Sequence, residues 1–150
     1  MQVVLNSYIL FHIVGIFALL CISFFFSCTE TTLFSLSNFQ VKKLQRTHPH
    51  GGAVTARLLA NPRRLLISIL IGNMFVNIFS STLGESLMRF IVPGAEGTLY
   101  AILIMTFAIL VMGEVTPKTI AIQCNTRLAP LVAPIINAIG TIEAPIRKIV

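Results

Sequence analysis

The stretch Leu110-Val-Met-Gly-Glu-Val-Thr-Pro-Lys118 decides how the chain is read, because it closes an apolar run that begins at Leu99. A carboxylate at Glu114 inside such a run costs roughly 2.5–3.5 kcal/mol on insertion scales, so it needs a partner or a purpose. Pro117 has no backbone N–H, which takes the helical donor away from the carbonyl four residues earlier, that of Gly113. The segment therefore offers a side-chain oxygen and a freed backbone oxygen side by side, with a glycine that permits close approach. Broken helices with loosened carbonyls at membrane depth are a common way for transporters to make cation sites.

Composition sets the class around this stretch. The chain has 150 residues, 55% of them hydrophobic and 11% charged, with a mean hydropathy of +0.88. A soluble domain has about 25% charged residues, so this is a membrane protein, an all-α one, with length for three or four spans and none left for a separate soluble domain. The net charge of +6 raises nucleic acid as a partner. The basic residues lie beside apolar runs without stacking aromatics between them, however, and the positive-inside rule accounts for them; the partner expected is the lipid bilayer and not nucleic acid. Cys21, Cys28 and Cys124 form no metal-like spacing and read as reduced, packed side chains.

The first span is expected over residues 8–27. A cleaved signal peptide fits poorly, since no Lys or Arg precedes Lys42. Lys42, Lys43, Arg46, Arg57, Arg63 and Arg64 place the following segment in the cytoplasm and the N-terminus outside. His12 reads as a packed side chain, and His48 and His50, flanking Pro49 beside Gly51-Gly52, read as a loop. At the end of the span Ser27, Glu30 and Thr31 share a helix face. Ser27 either bonds to backbone where the helix emerges or points inward as an oxygen ligand; its own motif does not separate the two. Residues 30–60 are expected to lie on the inner surface, with Leu33, Leu36, Phe39, Val41 and Leu44 forming an amphipathic pattern.

Asn61-Pro62 restarts the chain, and the second span is expected over residues 65–83. Asn73 and Asn77 are four apart and project from one face, with Ser80, Ser81 and Gly84 extending a small polar stripe. Such residues commonly glue membrane helices together. Two carboxamides in register, with a carboxylate and a proline in the next span, favour a site. Gly84 to Gly97 reads as the outer connection and residues 98–115 as the third span, with Lys118 reaching the inner surface in preference to Glu114. Residues 119–150, punctuated by Pro130, Pro134 and Pro145 and bracketed by Arg127 and the Glu143, Arg147, Lys148 group, are expected at the inner interface or docked on the bundle.

Taken together, Phe26-Ser27-x-x-Glu30-Thr31, Ile71-Gly72-Asn73-x-x-x-Asn77 and Gly113-Glu114-x-x-Pro117-Lys118-Thr119 resemble, in order and spacing, the transmembrane domain of the CorC/cyclin-M magnesium transporters. Thr29 stands where that family commonly has a second Ser, and Met74 where it often has a second Asn. The resemblance implies three transmembrane helices with amphipathic juxtamembrane helices, a homodimer built through the membrane domain, and cytosolic nucleotide-binding CBS domains following residue 150 in the full-length chain. It also implies a plasma (inner) membrane location and a dehydrated Mg2+ held by Ser27, Asn73, Asn77, the Gly113 carbonyl and Glu114, with Pro117 supporting the site. Export of Mg2+ coupled to Na+ entry is the implied activity.

The chemistry of the residues points the same way. Hard cations take oxygen ligands, and every candidate supplies oxygen. One carboxylate against a divalent ion leaves the site net positive and its binding weak, which suits transport. The rival reading is a membrane scaffold or metal sensor that does not transport. An enzyme is not expected, since Ser27 has no His nearby in sequence to act as a base.

Overall fold

A computed structural model describes residues 2–142; the Glu143, Arg147, Lys148 group and Pro145 lie outside the described residues. These residues form six α-helices and one π-helical segment, with no strand among them: α1 (Gln2–Phe34), α2 (Asn38–Thr47), α3 (Pro49–Leu59), α4 (Pro62–Ile91), α5 (Ala95–Ala108), the π segment (Ile109–Val115) and α6 (Thr116–Ile142). Three stretches are long and apolar enough to cross a membrane: Leu5–Phe34, Pro62–Ile91 and Ala95–Gly140. The expected all-α membrane fold is thus observed. A helix of 30 residues extends about 45 Å, well beyond the ~30 Å hydrocarbon thickness, so α1 and α4 continue past the apolar segments that announce them.

Helix α1 is the central post, with α4 packed along one side and α6 along another, and α5 packed on α4. Its buried face carries small hydroxyl residues, Ser23, Ser27, Thr29 and Thr32, which let neighbouring backbones approach closely. The outward faces of α1, α4 and α5 are apolar, with Phe11, Phe17, Phe75, Phe79 and Phe107 among the exposed side chains, as lipid contact requires.

The end of the bundle that carries Lys42, Lys43, Arg46, Arg57, Arg63 and Arg64 is called here the basic end. At this end a capping box starts α2: Gln40 donates its backbone N–H to Ser37 Oγ (3.2 Å) and Ser37 donates its own to Gln40 Oε1 (2.8 Å). Leu44 is the buried residue of α2, and Phe39 faces out at 77% exposure. His48-Pro49-His50-Gly51-Gly52 is not a loop. Pro49 is the first residue of α3, a position where its fixed φ and missing N–H are harmless, and Gly51 serves contact: a Cβ there would stand 2.7 Å from the Pro130 side chain of α6.

At the opposite, far end, the α4–α5 connection is shorter than the Gly84 to Gly97 loop the sequence suggests. Helix α4 runs to Ile91, and Gly94 adopts positive φ (104°), the only such residue among the described residues, turning the chain into α5. His12 is buried, bonded through Nδ1 to the Tyr8 carbonyl (2.9 Å) and packed at a tilt against the Tyr8 ring.

The third apolar stretch does not stop at Pro117 but continues through α6, which bends at Cys124, whose φ/ψ of −119°/19° is non-helical. Next to the bend, Asn125 Nδ2 donates to the Ser35 carbonyl (3.3 Å) and hydroxyl (3.0 Å) just beyond α1. Past it, Ala129, Val132, Ala133 and Ile136 join Phe26, Leu33, Leu44, Leu65 and Ile69 in the main apolar core. Arg57 on α3 also donates to Asn137 Oδ1 (3.0 Å). The proline-rich end of the described chain is therefore docked on α1, α3 and the start of α4.

Candidate cation site between α1, α4 and the π segment

The candidate oxygens meet in the second half of α1. Ser23 and Ser27, one helical turn apart, are both fully buried. The Ser23 hydroxyl lies 2.7 Å from Asn77 Oδ1 and 3.0 Å from Asn73 Oδ1. Having one proton, it donates to one carboxamide at a time, so three oxygens share a single hydrogen and turn lone pairs toward each other. Spacing by four residues on α4 is what brings both carboxamides to the same hydroxyl.

The third wall is the π segment. A π turn inserts one residue into a helix, widening it and loosening backbone bonds, and such turns gather at functional positions. Here the shifted ladder is seen where Thr116 N–H bonds to the Val111 carbonyl, five residues back. Pro117, fully buried, sits where the register returns to α. With no N–H it leaves a carbonyl unserved on either count, that of Met112 in π register or of Gly113 in α register. The break expected at this proline is thus a widened turn, because the extra residue absorbs the misfit without an abrupt bend.

Gly113 is buried against α1, and a Cβ at this position would lie 2.8 Å from Ser23 Oγ. The absence of a side chain is what lets the π segment reach the serine that holds both carboxamides. Ser27 Oγ donates to the backbone carbonyl of Glu114 at 3.4 Å. The Glu114 side chain is half-buried, and among the described residues no hydrogen bond or ion pair reaches its carboxylate. Lys118 does not pair with it: its Nζ stands 4.0 Å from Glu30 Oε2 on α1, both side chains partly exposed. Beside the oxygens, the Phe26 ring, one residue before Ser27, closes over Gly72, one residue before Asn73, where a Cβ would meet Cζ at 2.6 Å.

A profile of the cyclin M transmembrane N-terminal domain matches residues 14–150. The chain belongs to that family. Similar to this cyclin M domain are the UPF0053 inner membrane protein YfjD of Escherichia coli K12 and a putative DUF21 domain-containing chloroplastic protein of Arabidopsis thaliana. The first is 36% identical over 100 residues, 67% of this chain and 23% of the relative. The second is 34% identical over 133 residues, 89% of this chain and 20% of the relative. A UPF0053 protein of Haemophilus influenzae is 37% identical over 103 residues, 68% of this chain and 24% of its own length. The chain thus spans about a fifth to a quarter of each of these relatives.

Within the cyclin M domain, Asn73, Asn77 and Gly113 are gathered around one atom, Ser23 Oγ, and Ser27 joins through the Glu114 backbone. Ser23 is the residue that sequence reasoning missed. The signal is present in the sequence: Ser23 lies four residues before Ser27, on the same helix face.

Proposed function

We propose that this domain carries Mg2+ across the plasma membrane, exporting it in exchange for Na+ entry. The single observation behind this reading is the convergence of two hydroxyls, two carboxamide oxygens and a π-widened turn bearing one carboxylate, between three long apolar stretches. Octahedral Mg2+ holds oxygens at about 2.0–2.1 Å, so neighbouring ligands stand about 2.9 Å apart. The Ser23–Asn77 and Ser23–Asn73 oxygen spacings of 2.7 and 3.0 Å suit that edge. Ser23, Ser27, Asn73, Asn77, the backbone freed at Gly113 and the Glu114 carboxylate would replace the ion's water. A lone carboxylate leaves the loaded site positive, which favours release over storage. Na+, also an oxygen-seeking cation, fits the same donors when Mg2+ has left.

The basic end, with six Lys and Arg residues between Glu30 and Glu85 and no acid among them, supports a cytoplasmic placement of that end and an outside N-terminus. The name of the Escherichia coli relative, an inner membrane protein, agrees with a plasma-membrane location. A homodimer through the membrane domain, and CBS domains following residue 150 in the full-length chain, complete the reading.

The second reading, a non-transporting scaffold or sensor, is favoured by one feature: Ser23 bonded to Asn73 and Asn77 is also how polar residues glue membrane helices. Mg2+ efflux from loaded proteoliposomes, with and without a Na+ gradient, separates the two. Export by the wild type and its loss in Glu114→Ala and Glu114→Gln is the expected result. Export at the wild-type rate by either variant contradicts the proposal.

A further inference from the structure

A cavity of about 440 Å3 opens between α4 and α5, lined by Asn77, Ser81, Thr82, Glu85, Thr98 and Thr106 among apolar side chains. Asn77, Ser81 and Glu85 follow one another at four-residue spacing, so they form one wall along a single face of α4. Thr98 and Thr106, eight residues apart, mark the opposite wall on α5. Eight helical residues rise about 12 Å, so both walls cover the same depth. Because the two helices run antiparallel from the turn at Gly94, Glu85 and Thr98 stand at the far-end mouth, and Asn77 and Thr106 at the bottom. The bottom of this cavity is a residue of the cation site.

Ser81, Thr82 and Thr106 are exposed, and the Glu85 side chain is 45% exposed, paired with Arg89 only at 3.8 Å. A carboxylate is poorly placed against lipid tails, whereas the exposed Ile78 and Phe79, further down α4, suit lipid. Water in the groove would solvate the carboxylate. A cation with an octahedral shell of six waters, each occupying about 30 Å3, needs about 180 Å3, which the cavity exceeds twofold.

We propose that this groove is an aqueous vestibule that passes the hydrated divalent cation between the far face of the membrane and Asn77, with Glu85 at the mouth concentrating cations. The inference rests on the transport reading above and adds a route and an attracting residue to it. The hydroxyl walls replace outer-sphere water contacts, and dehydration is left to the oxygens around Ser23.

Charged-reagent labelling of the full-length protein tests it, in a background with Cys21, Cys28 and Cys124 replaced by alanine and with Mg2+ flux measured in parallel. Single cysteines are introduced as Ser81→Cys, Thr106→Cys and, as the lipid-facing control, Phe79→Cys. A membrane-impermeant cationic methanethiosulfonate applied from the far side should modify positions 81 and 106 several-fold faster than position 79. Mg2+ should slow that modification, and adding Glu85→Gln should slow the cationic reagent but not a neutral one. Labelling at 81 and 106 no faster than at 79 overturns the vestibule while leaving flux intact. A disulfide between two copies at position 81 overturns it as well, because the groove is then an interface. Fast labelling in a protein without Mg2+ flux overturns the transport reading, and with it the cargo assigned to the groove.

Discussion

Ser23 Oγ stands 2.7 Å from Asn77 Oδ1 and would touch any side chain placed on Gly113, so one hydroxyl joins α1 to both α4 and the π segment. Removing it leaves two carboxamides without their shared donor and takes an oxygen from the candidate site. Outer-shell and ligand-orienting partners of metal sites commonly account for about 10–100-fold in affinity. Ser23→Ala should therefore raise the Mg2+ concentration for half-maximal flux by a factor in that range. A Ser23→Ala protein with unchanged Mg2+ dependence would show that the hydroxyl only packs.

Gly113→Ala tests the close approach from the other side. Its methyl would press on Ser23 Oγ at 2.8 Å, and α1 has no freedom to retreat, being packed between α4 and α6. Overpacking of this kind costs typically about 1–3 kcal/mol. The variant should lose Mg2+ flux and melt lower. Because Ser23→Ala vacates the same space, the double variant should regain thermal stability without regaining flux. Thermal unfolding in detergent, followed for the four proteins of the cycle, reads this directly.

Gly72→Ala makes the corresponding test at the edge of the site. The Phe26 ring lies over Gly72 and belongs to the main core, so a methyl at position 72 cannot be met by a simple ring rotation. A loss of about 1–3 kcal/mol is expected, and Phe26→Leu in the same chain should relieve part of it. No change in unfolding temperature in Gly72→Ala would mean that the ring moves freely.

The Glu30–Lys118 pair is expected to matter little for stability. At 4.0 Å, with 29% and 46% of the two side chains exposed, it falls in the class worth about 0–1 kcal/mol. Lys118→Gln should shift unfolding by no more than that. A larger loss would mean that the two charges are held out of water.

Much of this arrangement was legible in the residues alone, for reasons that mark where the reading stops. Asn73 and Asn77 were found because a four-residue spacing puts two carboxamides on one helix face whatever the rest of the fold does. Gly113, Glu114 and Pro117 announced a misfit, since a charge and a missing N–H in an apolar run have few explanations. The kind of misfit was not legible: a π turn and a kinked helix relieve the same proline, and tertiary packing chooses between them. The bend itself lies further on, at Cys124, next to Asn125, which bonds just past the end of α1. The role of Ser23 depends on which faces of α1 and α4 meet, information no local pattern contains. His48 to Gly52 misled for a related reason. Proline and glycine signal turns when isolated, but here the proline starts α3 and Gly51 admits Pro130 from a helix some eighty residues away.

Binding of Mg2+ by these oxygens, with Glu114 supplying the charge, is the proposal on which the rest depends. Its most direct test is the unfolding temperature of purified full-length protein titrated with Mg2+, wild type against Glu114→Gln. A ligand that binds only the folded state raises stability with its concentration. Mg2+ is predicted to raise the wild-type unfolding temperature in a saturable way and to leave that of Glu114→Gln unmoved; an equal shift in both proteins would place the ion elsewhere and contradict the account.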